Sequence, residues 1–174
     1  MSEAQRFEKV VVPHLDAAYN LARWLTRSES AAQDVVQESC LRAFRSLARF
    51  AGGNPRAWLL TIVRNQCYSW LKKTADERFV GLDDDTALGE DDKAHLSHWE
   101  TPEAWLSRTQ DAALLDQVLN DLPAPFREVL VLKELEDMAY KEIAQVIGAP
   151  LGTVMSRLAR ARELLRRRLL ARDE

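Results

Sequence analysis

An all-α fold in two small helical domains joined by an acidic linker is what the sequence predicts. Three observations carry this. Apolar residues recur at helical spacing in almost every segment, and valines and isoleucines never settle into the two-residue alternation of a strand. Helix start signals punctuate the chain at several points. Between Thr74 and about Glu100, "TADERFVGLDDDTALGEDDKAHLSHWE" has Gly and Asp clusters and no clear apolar face, the composition of a tether.

The expected organisation is a helical domain over 1–73, an acidic flexible linker over 74–108 and a second helical domain over 109–174. A chain of 174 residues can give each of two small domains a real core. Net charge is only −3, which excludes a uniformly basic nucleic-acid coat. Its distribution says more. From Leu151 to Glu174 seven arginines stand against three acids, whereas from Asp76 to Glu103 ten acids stand against Arg78 and Lys93. A basic end and an acidic middle indicate segments with separate jobs.

Ser30-Ala31-Ala32-Gln33 has the capping-box pattern and opens a helix expected to run to about Phe50. Ala32, Val36, Cys40, Ala43, Phe44 and Leu47 form its predicted core stripe, so Cys40 reads as a packing residue. The outer stripe is Asp34, Gln37, Glu38, Leu41 and Arg45. A leucine ringed by charges has the anatomy of a small docking patch for a partner protein.

Asn54-Pro55 supplies a cap and a first-turn proline for the next helix, which reaches Lys73. Leu59, Leu60, Ile62, Val63, Cys67, Trp70 and Leu71 form its buried arc. The other face presents Trp58, Thr61, Arg64, Asn65, Tyr68 and Lys72. Aromatics interleaved with cations suit single-stranded DNA, because bases stack on rings while cations hold the backbone. The preceding loop, Phe50 to Pro55, contains two glycines and is flexible enough to close around an extruded base. Thr101-Pro102-Glu103 repeats the start signal, as Pro125 does less plainly.

Lys141 to Leu169 reads as a short helix, a tight turn at Gly148-Ala149-Pro150 and an arginine-rich helix. Leu151, Val154, Leu158, Ala161, Leu165 and Leu169 fall on one stripe of the last helix, and Ile143, Ala144 and Ile147 give the shorter one an apolar face. The opposite arc carries Thr153, Met155, Ser156, Ala159 and Arg160, with Arg157 on its shoulder. A helix-turn-helix sets such residues against base edges in the major groove, and arginines on its flanks neutralise phosphates.

Other classes find little support. Cys40 and Cys67 make neither a disulfide framework nor a zinc spacing. No apolar run approaches the roughly 18 residues of a membrane span, and the polar start MSEAQRFEK is no signal peptide. The expected location is cytoplasmic, without membrane insertion. His95-Leu96-Ser97-His98 beside Asp91 and Asp92 holds metal-ligand residue types, but in a segment that reads as mobile, so no metal is expected. His14 reads as structural. No catalytic residue and no cofactor is expected.

Taken together, the segments resemble an extracytoplasmic-function (ECF) sigma factor of the sigma-70 family. "PHLDAAYNLARWLTRSESAAQDVVQESCLRAFRSLARF" is similar to that family's start and polymerase-docking helix, and "GNPRAWLLTIVRNQCYSWLKK" to its minus-ten helix. "LPAPFREVLVLKELEDMAYKEIAQVIGAPLGTVMSRLARARELLRRRL" is similar to its minus-thirty-five domain. The resemblance implies a sigma region 2-like domain and a sigma region 4-like helix-turn-helix domain. It further implies docking of core RNA polymerase, on the clamp helices of the largest subunit and on the flap, with Asp34, Gln37, Glu38 and Leu41 on the clamp. It assigns Asn54, Trp58, Thr61, Arg64 and Asn65 to minus-ten recognition and strand separation, and Thr153, Ser156, Arg157 and Arg160 to minus-thirty-five recognition of promoter DNA. An anti-sigma factor as partner is implied too, and a linker threading near the RNA exit path. Met155 and Ala159 depart from the family, which often has Lys or Arg at the first and a larger side chain at the second. Two other readings use the same features: a sigma-like adaptor that titrates an anti-sigma factor without binding DNA, and a homodimeric helix-turn-helix repressor.

Overall fold

A computed structural model describes residues 1–74 and 112–172. The linker beyond Thr74, the Thr101-Pro102-Glu103 start and the His95/His98 pair lie outside the described residues. The described residues are helical, with no strand among them, as the absence of two-residue alternation requires. They fall into two compact units, one of 1–74 with 141–148 and the other of 112–140 with 149–172.

The first unit contains α1 (Glu3–Val10), α2 (Leu15–Thr26), α3 (Glu29–Ser46), α4 (Pro55–Lys73) and α7 (Tyr140–Ile147) from Lys141 onward. Helices α2, α3 and α4 pack on one another and bury Leu21, Ala22, Leu25, Ala32, Ala43, Leu59, Leu60, Val63 and Cys67. At roughly 1.5–3 kcal/mol for each large apolar side chain removed from water, this core supplies most of the unit's cohesion. α1 opens on a capping box. Ser2 Oγ accepts from Gln5 N at 3.2 Å, and Ser2 N donates to Gln5 Oε1 at 2.9 Å. The helix buries no residue completely.

The N-cap of α3 lies two residues before the predicted one, Ser30. Ser28 is its N-cap, with Oγ accepting from Ala31 N at 3.2 Å. The reason lies in the residue before it. Arg27 ends α2 in the left-handed conformation (φ 59°), so the chain emerges extended at Ser28 and the new helix begins at once. α3 also stops at Ser46, and a 3-10 turn, Leu47–Arg49, carries the chain to Phe50. The buried stripe of α3 is Ala31, Ala32, Val35, Ser39 and Ala43. Phe44, placed in the core by the sequence reading, is instead 45% exposed, and Val36 and Cys40 are half-buried. The stripe runs along Val35, Ser39 and Ala43, a path that small residues allow and that leaves the bulkier Phe44 on the rim.

In the second unit, α5 (Ala112–Asp121), α6 (Ala124–Leu130) and α8 (Leu151–Arg172) enclose Val118, Phe126, Val129, Leu132, Val154, Leu158, Ala161 and Leu165. α6 continues as a π-helical segment, Val131–Leu135. Arg127 is fully buried, and its Nη1 donates to Leu122 O at 2.6 Å and to Asn120 O at 3.4 Å. A cation placed on the last carbonyls of α5 satisfies groups that the helix itself leaves open. Gly148, after α7, has φ +66°, which only glycine adopts without strain.

Candidate nucleic-acid interface

The outer face of α3 is as the sequence predicts. Asp34, Gln37, Leu41 and Arg45 are exposed and Glu38 is half-buried. Leu41 is 53% exposed, with Phe44 beside it. An isolated exposed leucine means little, but Leu41 stands three residues from a Phe44 that is only partly covered, by Phe7, and the two make an apolar anchor rimmed by charge. Phe44 was missed as a surface residue because an aromatic at that spacing is usually core.

The α4 face is built from its N-terminus. Asn54 is the N-cap, with Oδ1 accepting from Ala57 N at 3.1 Å, and Pro55 takes the first turn. Asn54 Nδ2 donates to Glu142 Oε2 at 2.6 Å, and Arg56 Nη2 meets the same oxygen at 3.1 Å. Gly52 and Gly53 have φ of +101° and +94°, and nothing lies within 4 Å of where a Cβ would stand on either. The loop is therefore open at its two glycines and held at both ends. Trp58 stacks at a tilt on Phe50, ring centroids 4.8 Å apart, so Phe50 joins the predicted residues. Arg64 lies over the Tyr68 ring at 4.4 Å. Thr61 Oγ1 donates to Ala57 O at 2.7 Å, which fixes its rotamer. Asn65 and Lys72 are exposed and complete the face.

Burial, and then the nearby Arg56 charge, lower the pKa of His14 below that of an ordinary imidazole. Burial raises the pKa of the Cys40 thiol, which disfavours the reactive thiolate. Neither Cys40 nor Cys67 is in a disulfide.

On α8, Met155 is 42% exposed, and Thr153, Ser156, Arg157 and Arg160 are half-buried. Ser156 Oγ donates to Gly152 O at 2.8 Å. Two sequence expectations change. Ala159 is only 4% exposed, so it is part of the buried side of the helix rather than of its open arc. Leu151, assigned to the packing stripe, is 42% exposed, since the first turn of the helix extends past the unit's core. The arginines also divide. Arg162 Nη2 bonds Glu134 Oε1 at 2.9 Å, Arg167 pairs with Glu163 at 2.9 Å, and Arg168 lies 4.0 Å from Asp121. Arg157 and Arg160 form no ion pair among the described residues, and neither gives its guanidinium to another helix. Arg166, further along the helix, is exposed and likewise forms no ion pair among the described residues.

No group of three or more His, Cys, Asp or Glu side chains is placed to hold a metal among the described residues, and no described helix is long and apolar enough to cross a membrane.

Comparison with known proteins agrees with this geometry. Residues 10–77 match the model of Sigma-70 region 2, and residues 112–165 match that of Sigma-70, region 4. The chain is 32% identical to the ECF RNA polymerase sigma-E factor of Haemophilus influenzae, over 86% of its own length and 79% of the relative's. It is 32% identical to the ECF RNA polymerase sigma factor SigE of Mycolicibacterium smegmatis, over 92% of its own length and 60% of the relative's, and so spans under two thirds of that protein. The sigma factor RpoE of Bartonella quintana, solved in complex with the anti-sigma factor NepR, has a similar fold (TM-score 0.69, 29% identity, 94% of this chain and 96% of that one). With both family models matched in order and a relative of 32% identity covered over most of its length, the chain belongs to the extracytoplasmic-function sigma factors of the sigma-70 family.

Proposed function

We propose that the chain grips a promoter at two points while it is docked on core RNA polymerase. The α3 face, centred on Leu41 with Asp34, Gln37, Glu38 and Arg45 around it, seats on the clamp helices of the largest subunit, and the second unit on the flap. Asn54, Trp58, Thr61, Arg64, Asn65, Tyr68 and Lys72 receive the minus-ten strand. Thr153, Met155, Ser156, Arg157 and Arg160 read or hold the minus-thirty-five duplex, with Ala159 in a supporting position rather than at a base edge. Unstacking a base costs a few kcal/mol. Stacking against an aromatic returns roughly 1–3 kcal/mol per base, so a captured base offsets most of the melting cost. The chain brings no catalytic residue. It works in the cytoplasm, where core polymerase and promoter meet, and is held in check by an anti-sigma factor, as the complex of its structural relative suggests.

The observation that carries this reading is Leu41, exposed in a ring of charge on the same unit as the Phe50–Trp58 pair. A sigma-like adaptor that only titrates a partner has no use for two uncommitted arginines on a helix-turn-helix, and a homodimeric repressor has none for the Leu41 patch. Run-off transcription with purified core polymerase on a random fragment library tests it. The expected result is a discrete set of transcripts with a shared two-part element. Core binding without any promoter-specific transcript would favour the adaptor.

A further inference from the structure

The minus-ten loop is steadied by a helix to which no role has been given. Phe50 opens this loop in an extended conformation (φ −73°, ψ 103°), and its carbonyl oxygen accepts a 2.6 Å hydrogen bond from Arg6 Nη2 on α1. The bond spans 44 residues of sequence and is part-buried. The next residue of α1, Phe7, meets the Phe44 ring edge-on at 5.6 Å. α1 has no completely buried residue. Beyond Phe50, Gly52 and Gly53 are exposed, and nothing lies within 4 Å of where a Cβ would stand on either. Its far end is fixed by the Asn54 cap.

We propose that Arg6 is a positioning residue for promoter melting. By holding the Phe50 carbonyl, it fixes the Phe50 ring against Trp58 and so preorganises an aromatic platform for the first extruded base. Without it, Phe50 becomes the start of a loop containing two freely rotating glycines, and the platform must be ordered when the base arrives. A side chain ordered on binding costs affinity that a preordered one does not. The charged donor matters because a hydrogen bond to a guanidinium is stronger than a neutral one. The proposal rests on the reading of α4 and its loop as the minus-ten receiver.

The test uses full-length chain bound to core polymerase and a fork-junction DNA bearing the promoter which that holoenzyme selects. Arg6→Ala and Arg6→Lys are compared with the parent chain, each with its helical content and melting temperature checked. Affinity is measured for the intact fork and for forks with an abasic site at each minus-ten position in turn. One abasic position should weaken the parent roughly ten-fold, the scale of one lost base–aromatic stack. Arg6→Ala should bind the intact fork about ten-fold more weakly and be nearly insensitive to that abasic site, with core affinity unchanged. Arg6→Lys, which keeps the charge and a donor, should recover part of the loss. Equal abasic penalties in parent and Arg6→Ala, unchanged fork affinity, or a defect confined to core binding would each overturn the role. If no abasic position affects the parent, or the holoenzyme selects no promoter, the minus-ten reading fails and the proposal with it.

Discussion

Arg160 and Arg162 stand two residues apart on α8, and their removal should have opposite consequences. The Arg162 guanidinium is 2.9 Å from Glu134, with both side chains only 17% exposed. At an effective dielectric near 20, the gross attraction at that distance is about 6 kcal/mol. Desolvating two charges cancels most of this, and a charge-assisted hydrogen bond nets roughly 1.5–3 kcal/mol. Arg162→Ala should therefore cost about 2 kcal/mol, because it also leaves Glu134 without its counter-charge. For a unit of this size that is roughly a 10 °C fall in melting temperature. Affinity for promoter DNA should keep its salt dependence, since Arg162 gives nothing to phosphate. Arg160→Ala should leave melting almost unchanged. It should lower the slope of log affinity against log salt by about 0.9, the effect of one phosphate contact on duplex DNA. Circular dichroism melts and fluorescence anisotropy between low and moderate salt measure both. The reasoning is refuted if Arg162→Ala flattens the salt dependence while melting normally, for its guanidinium would then be on DNA rather than on Glu134.

Three further outcomes are expected. Leu41→Asp should weaken binding to core polymerase at least ten-fold, since a buried leucine contributes roughly 1.5–3 kcal/mol and the aspartate adds a desolvation cost; surface plasmon resonance on immobilised core would show it. Ser28→Ala should destabilise the chain by about 1 kcal/mol through loss of the α3 cap, and Ser30→Ala by much less; urea titration compares them. His14, with its pKa lowered in the fold, binds a proton less readily there than in the unfolded chain. Stability should be unaffected by His14 above its ordinary pKa of about 6.5 and fall as pH drops below it, and His14→Gln should flatten that decline in pH-dependent melts.

Much of this could be read from the chain because helices announce their ends locally. Asn54-Pro55 and Gly148 stand where the backbone needs a cap, a fixed φ or a left-handed residue, and the structure uses them so. The outer face of α3 was legible for a similar reason, as period alone separates Leu41 from the core. Misplaced residues are those whose neighbours decide. Ser30 lost the cap to Ser28 because α2 ends on a left-handed Arg27, which no local signal at Ser30 reveals. Phe44 went to the rim because the packing stripe could follow alanines instead. Ala159 lies on the groove-facing arc by angle, yet it is buried, and which flank of a helix packs is decided by neighbours that angle alone does not reveal. Arg6 and Phe50 could not be paired across 44 residues by any periodicity. The Ser2-to-Gln5 capping box was in plain view, and would have announced α1.

Hydroxyl-radical footprinting of the selected promoter tests the two-point grip most directly, with holoenzyme carrying either the parent chain or the Arg157→Ala, Arg160→Ala double variant. The parent should protect two separate patches, one at each element. The double variant should lose the upstream patch and keep the downstream one, because the two contacts belong to different units. A single continuous patch, or upstream protection that survives loss of both arginines, would contradict it.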